Sequence, residues 1–274
     1  KDLDEYTGGL KAGEMFVLAA RPSIGKTSLA LNVIRNIALP TRTKNPRSIA
    51  FFSLEMTAEQ ISRRLLCTEA GLSESVFRSN SLQNHELTKL TGAVSAFQKA
   101  RIFIDPTGGI SIAELRAKAR RLKMKEKIDL IVIDYLQLMQ ADSRIESRQQ
   151  QVGEISGGIK KLYKDLKIPV LVLAQLNREV DKTAGASARP KLSHLRESGT
   201  IEQDADIVTF LHRDREKSKD VDDGQGVEAE WIIEKNRNGR TGNLNLLFFP
   251  ARMEFLPASR VSPEDGPRAK ASQS

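Results

Sequence analysis

Gly25-Lys26-Thr27 is the triplet with the most chemistry in this 274-residue chain. It lies within the run Ala20-Arg21-Pro22-Ser23-Ile24-Gly25-Lys26-Thr27-Ser28, which follows the apolar segment Met15-Phe16-Val17-Leu18-Ala19 and opens an amphipathic helical pattern. In that setting the backbone N–H groups of a tight loop would surround β- and γ-phosphates, and the positive end of the helix would face them. Lys26 would set an ammonium against their oxygens, and Thr27 would offer its hydroxyl to Mg²⁺. The pattern G-x-x-x-x-G-K-[ST] is broken at its first position, where Ala20 stands in place of glycine. Alanine lacks glycine's freedom at positive φ, so Ala20 is expected in an ordinary backbone region, and Pro22 is expected to stiffen the loop. Such a triplet also arises by chance in turns; the strand before it and the helix after it argue against chance.

Three further polar residues end apolar runs. Leu130-Ile131-Val132-Ile133-Asp134 reads as a strand covered on both faces, which places Asp134 at the carboxyl end of a sheet, where open α/β folds bind ligands. A carboxylate there would order the Mg²⁺ hydration shell; the plain alternative is a capping or turn aspartate. Ser48-Ile49-Ala50-Phe51-Phe52-Ser53-Leu54-Glu55 puts Glu55 just past a second run, where it could orient or deprotonate a water attacking a γ-phosphate, or simply stabilise the dipole of a helix beginning near Ala58. Val170-Leu171-Val172-Leu173-Ala174 ends at Gln175, whose neutral amide can bond a γ-phosphate oxygen and report its presence, or serve as an ordinary loop amide.

The elements needed to position these residues are apolar strands alternating with helical patterns, which predict an α/β fold with a mainly parallel sheet flanked by helices. Ile207–Leu211, Glu230–Glu234 and Leu244–Phe249 follow one another without room for long helices and predict an antiparallel edge. One domain over residues 1–256 and a disordered tail over 257–274, rich in Pro, Ser and charge, are expected.

The ordered motifs resemble a family. Leu3-Asp4-Glu5-Tyr6-Thr7-Gly8-Gly9-Leu10 with Gly13-Glu14, the Ala20 to Thr27 run, Phe52-Ser53-Leu54-Glu55-Met56, Ile133-Asp134-Tyr135-Leu136-Gln137-Leu138, Ala174-Gln175-Leu176-Asn177-Arg178, Leu195 to Asp206 and Glu234-Lys235-Asn236-Arg237-Asn238-Gly239 are similar, in unbroken order over residues 1 to 256, to the bacterial DnaB replicative helicases. The resemblance implies a RecA-like P-loop core, ATP and Mg²⁺ as ligands, and a role as a DNA-unwinding motor. It implies Lys26 and Thr27 as phosphate-loop residues, Glu55 as catalytic base, Asp134 as metal-ordering acid and Gln175 as γ-phosphate sensor. It also implies that Lys235 and Arg237 reach a neighbouring subunit's ATP as lysine and arginine fingers, adding charge where the transition state spreads it; a solvated basic turn is the reading without the family. Arg196, Glu197 and Gly199 match a loop touching the DNA backbone, contacts that position a strand without reading its bases.

From the same resemblance come single-stranded DNA at a fork, a six-membered ring, 5′ to 3′ movement, primase and a helicase loader as partners. The primase contact is expected mostly through an N-terminal domain absent from this sequence. A RecA-like recombinase or clock-type ATPase, and a non-hydrolysing adaptor, are the competing readings; the Arg196 to Asp206 signature argues against the first, and Lys26, Thr27, Glu55, Asp134 and Arg237 together argue against the second.

Net charge of +8 and a pI near 9.6 favour a polyanionic partner weakly. The densest basic run, Arg116 to Lys127, carries Leu115, Ala119 and Leu122 at helical spacing and reads as an exposed helix face. Gln140 to Val152 and Asp181 to Arg189 read as loops. One cysteine, Cys67, excludes an intrachain disulfide. The three histidines lack metal-ligand spacing. No apolar run spans a bilayer and no cleavable signal precedes the first motif, so a cytoplasmic location without membrane contact is expected.

Overall fold

The computed structural model describes residues 2–77, 82–141, 147–176, 189–214 and 225–260, leaving aside the side chains of 196–199 and 260. Among these residues nine strands form one sheet: β1 Met15–Ala20, β2 Ile49–Ser53, β3 Ile102–Asp105, β4 Leu130–Asp134, β5 Val170–Gln175, β6 Ile207–His212, β7 Val227–Asn236, β8 Gly242–Phe249 and β9 Glu254–Pro257. The spatial order is β3-β2-β4-β5-β1-β6-β7-β8-β9. The first six strands are mutually parallel and the last three add on antiparallel.

The strands of the parallel part are apolar at nearly every position because both faces are covered. Alternate residues point to opposite sides. Val17, Ala19, Ile131, Ile133, Val170 and Val172 join one core with α5 (Ile112–Glu126) and α6 (Arg148–Leu166). Phe16, Leu18, Leu130, Val132, Leu171 and Leu173 join the other with α2 (Lys26–Ala38) and α3 (Ala58–Ala70). A short α1 (Asp2–Thr7) opens the chain, α4 (Asn84–Phe97) packs beside α3, and α7 (Gly199–Asp204) precedes β6.

Helix α3 begins where a capping box stands: Gln60 N–H donates to Thr57 Oγ1 at 3.2 Å, and Thr57 N–H donates to Gln60 Oε1 at 3.0 Å. It stops at Gly71, whose φ of 66° suits glycine. The basic run forms α5, with Leu115 and Ala119 buried and the charges outward, and Cys67 is buried within α3.

Two strands go beyond the sequence reading. β3 is four residues long and lies beyond β2; a run that short has no period to separate it from the end of α4. β9 pairs with β8 through Glu254 to Pro257, so Pro257 closes a strand, and Ala258–Arg260 form a 3₁₀ turn. Residues 261–274 of the expected tail, Asn177 to Ala188 and residues 142–146 lie outside the described residues. No helix among the described residues is long and apolar enough to cross a membrane.

Candidate active site

The phosphate-loop run leaves the sheet at Ala20, which pairs with Gln175 on one side and Leu211 on the other and is the last residue of β1. Ala20 therefore has ordinary strand backbone, and the left-handed turns fall later, at Ser23 (φ 63°) and Gly25 (φ 108°). Gly25 is required twice over. Its φ disfavours any side chain, and a Cβ there would stand 2.9 Å from Cζ of Phe255. The Ser23 carbonyl accepts a bond from Arg213 Nη2 at 3.1 Å, and the Arg213 guanidinium lies 4.9 Å over the Phe248 ring. The loop is thus braced from the end of β6 and from the antiparallel edge. Helix α2 then starts at Lys26 with its first N–H groups directed at the loop.

A cleft of about 630 Å³ opens at this end of the sheet, lined by Ala20 to Ser23, Gly25 to Ser28, Glu55, Tyr135 and Gln175 among others. Behind the Lys26 and Thr27 side chains that line it lies Asp134, which is completely buried. Thr27 Oγ1 donates to Asp134 Oδ2 at 2.8 Å, and Lys26 Nζ stands 3.5 Å from Oδ1. Lys26 Nζ also lies 4.1 Å over the ring of Tyr135. Burial pushes the Lys26 ammonium below its ordinary pKa, opposed by the negative charges of Asp134 and Glu55. An anion in the cleft would reverse that depression, the behaviour expected of a phosphate-binding lysine.

Asp134 Oδ1 is buried without a hydrogen bond. A carboxylate oxygen left so, beside a threonine hydroxyl and at the foot of a phosphate loop, suits Mg²⁺. That ion is usually held by one or two carboxylates together with substrate phosphates and water. Among the described residues no three His, Cys, Asp or Glu side chains converge, so a cage built wholly of protein ligands is not the arrangement here.

Glu55 enters from the turn after β2. Leu54 N–H donates to the Asp134 carbonyl at 2.7 Å, and Ser53 Oγ bridges the Met56 backbone at 2.7 and 3.2 Å, so the turn is fixed while the Glu55 carboxylate stays exposed at the cleft. Gln175 ends β5, level with Ala20. The structure therefore brings Lys26, Thr27, Glu55 and Gln175 to one cleft, with Asp134 buried against Lys26 and Thr27.

Lys235 and Arg237 are elsewhere. Lys235 pairs with Val208 near the start of β6, and Arg237 N–H donates to the Asp206 carbonyl at 2.9 Å while Asp206 N–H donates to Met15 O at 3.0 Å. They sit toward the amino end of the parallel strands: Arg237 is level with Met15 and Lys235, through Val208, with Val17, so five and three residues of β1, at about 3.3 Å each, put about 16 Å and about 10 Å between them and Ala20. Lys235 Nζ donates to the carbonyls of Glu202 and Ala205, the latter at 2.9 Å. Arg237 donates to the Gln203 carbonyl and to Asp206 Oδ1. Both cations thus cap the carbonyl end of α7. Burial, with Arg237 adding to it, lowers the Lys235 pKa. Arg196 and Glu197 lie on a 3₁₀ segment, Leu192–Ser198, and Gly199 opens α7; Leu195 and Ile201, both buried, anchor this stretch to the core.

Sequence reasoning passes over several participants. Arg64 lines the cleft with its Nε buried and without a hydrogen bond. Arg213 holds the loop, and Gln137 and Asp206 hold Gln175 and Arg237 in place. Gln137 and Asp206 stand inside quoted motifs, which is the signal that could have found them; Arg64 and Arg213 have none.

Fold and site together define a RecA-like P-loop core. Residues 1–257 match the model of the DnaB-like helicase C terminal domain, and the chain belongs to that family. It is 43% identical over 260 residues to the replicative DNA helicase DnaB of Geobacillus stearothermophilus and 42% identical over 260 to the replicative DNA helicase DnaC of Bacillus subtilis, in each case over 94% of this chain and 56% of the relative. The chain thus spans about half the length of these curated relatives. Among solved structures, the ATPase domain of G40P superposes with a TM-score of 0.82 at 32% identity, covering 93% of this chain and 88% of that one. A DnaB-like replicative helicase, described with its interactions with primase, also gives 0.82 at 33% identity, covering 93% and 61%.

Proposed function

We propose that this chain is the motor domain of a replicative DNA helicase that hydrolyses ATP to move along single-stranded DNA and open the duplex at a fork. The observation that carries the reading is the convergence of Lys26, Thr27 and Asp134 at the carboxyl ends of β1 and β4, with Glu55 and Gln175 lining the same cleft. Lys26 and the loop N–H groups hold the β- and γ-phosphates. Thr27 and Asp134 would hold Mg²⁺, which neutralises phosphate charge when bound. Glu55, exposed on a fixed turn, takes a proton from the attacking water. Gln175 bonds a γ-phosphate oxygen and distinguishes ATP from ADP.

Lys235 and Arg237 complete the site of a neighbouring copy, which makes hydrolysis depend on assembly into a ring of six. Arg196, Glu197 and Gly199 contact the DNA backbone, and the basic excess supports that partner. Primase and a helicase loader act on the assembled protein, in the cytoplasm.

The test is ATP-dependent unwinding of forked DNA carrying only a 5′ or only a 3′ loading tail, with Lys26→Ala as control. Unwinding from the 5′-tailed fork is expected. DNA-stimulated hydrolysis without unwinding would show a motor that needs more of the protein to close its ring, and absence of hydrolysis would overturn the proposal.

A further inference from the structure

The end of β5 is held by a side chain where a strand would otherwise be. β4 pairs with β5 only from Val170 to Val172, through Ile131, Val132 and Ile133, whereas β5 runs on to Gln175. On the other side β1 follows it to the end, and Leu176 N–H donates to Ala20 O at 3.0 Å. On the β4 side the chain has turned into a 3₁₀ segment, Leu136–Leu138, pinned by the buried Leu136 and Met139. From it Gln137 extends its amide back to the strand: Nε2 donates to the Gln175 carbonyl at 2.9 Å, and Oε1 accepts from the Gln175 N–H at 3.2 Å. The amide thus reproduces the two bonds that a neighbouring strand residue would make. The Gln137 carbonyl in turn accepts from Arg148 Nη2 at 2.6 Å, tying the clamp to the first residue of α6.

We propose that Gln137 is the positioning residue for Gln175, fixing the main chain from which the γ-phosphate sensor projects. The proposal rests on the sensor reading of Gln175. A strand end bonded on one side only frays, and displacement of a catalytic-site group by about 1 Å can cost 10²-fold in rate. Removing the clamp should therefore impair turnover through Gln175 and leave ATP binding, which the phosphate loop supplies, in place.

A double-mutant cycle on the whole protein with single-stranded DNA, reading kcat and KM for ATP, tests this. Gln137→Ala and Gln175→Ala should each lower kcat about tenfold with little change in KM, and the double variant should be no slower than the slower single one. Multiplying effects would overturn the positioning role, as would unchanged kcat in Gln137→Ala beside an impaired Gln175→Ala. Unchanged kcat in Gln175→Ala would instead overturn the sensor reading, and the proposal with it. Gln137→Glu keeps the side chain's size and the bond from the Gln175 N–H while setting an acceptor against its carbonyl. It should lower kcat without lowering the melting temperature, and normal kcat in this variant would also overturn the clamp.

Discussion

The two ends of the parallel sheet carry different kinds of charge. At the carboxyl end, Lys26, Thr27 and Asp134 bind one another, yet Asp134 Oδ1 has no hydrogen bond and Glu55 stays exposed, so the cleft keeps polar capacity for a ligand. At the amino end, Lys235 and Arg237 are occupied by four partners at the end of α7: the carbonyls of Glu202, Gln203 and Ala205, and the Asp206 carboxylate. If the carboxyl end binds a nucleotide and the amino-end cations act on it, as proposed, two copies must stack one end against the other.

The sharpest way to break that comparison is Arg237→Ala. If the amino end serves a neighbour's ATP, turnover should fall about 10³-fold, as loss of an arginine finger does, while nucleotide binding persists. Mixing with inactive Lys26→Ala subunits should restore part of the turnover. A variant with near-normal hydrolysis would leave the amino end with only its capping role. Next is Glu55→Gln, expected to lower kcat by about 10²-fold or more with ATP still bound; turnover close to that of the parent would remove Glu55 from the chemistry.

Gly25→Ala tests the carboxyl end structurally. Its φ of 108° and the closeness of Phe255 predict a loss of about 1–3 kcal/mol, read in urea unfolding, with weakened nucleotide binding. Undiminished stability would mean that the loop can move off Phe255 at no cost. The smallest effect concerns the other end. Asp204 accepts from Ser156 Oγ and Lys160 Nζ, both at 2.8 Å, and joins α7 to α6. Asp204→Asn should cost about 1 kcal/mol of stability and leave the affinity for nucleotide unchanged; a change in that affinity would show that the two ends communicate within one subunit.

The carboxyl end was the more legible of the two. Its strands are buried on both faces, so β1, β2, β4 and β5 read as apolar runs, and a polar residue ending such a run falls at a predictable place. Ala20 also behaved as its chemistry requires, with the left-handed turns passed to Ser23 and Gly25. The amino end was not legible from residue pattern. Lys235 and Arg237 look like any basic turn until the antiparallel register of β7 against β6 sets Lys235 level with Val208 and Arg237 beside Asp206. Arg64 reaches the cleft from a helix face, and Arg213 reaches the phosphate loop from a strand end, both places where arginine is ordinary.

By itself the sequence determined the alternation of strands and helices, the phosphate loop and the identity of the groups that follow each buried strand, because hydrophobic period and loop chemistry are local properties of the chain. Only the tertiary structure decided which polar groups meet. It placed Asp134 under Thr27, gave Gln175 a surrogate strand neighbour in Gln137, and set Lys235 and Arg237 about 10 Å and about 16 Å down the sheet from the cleft of their own chain. These are matters of strand order and register, which bring together residues 38 positions apart in one case and 107 in another, and no local pattern encodes them.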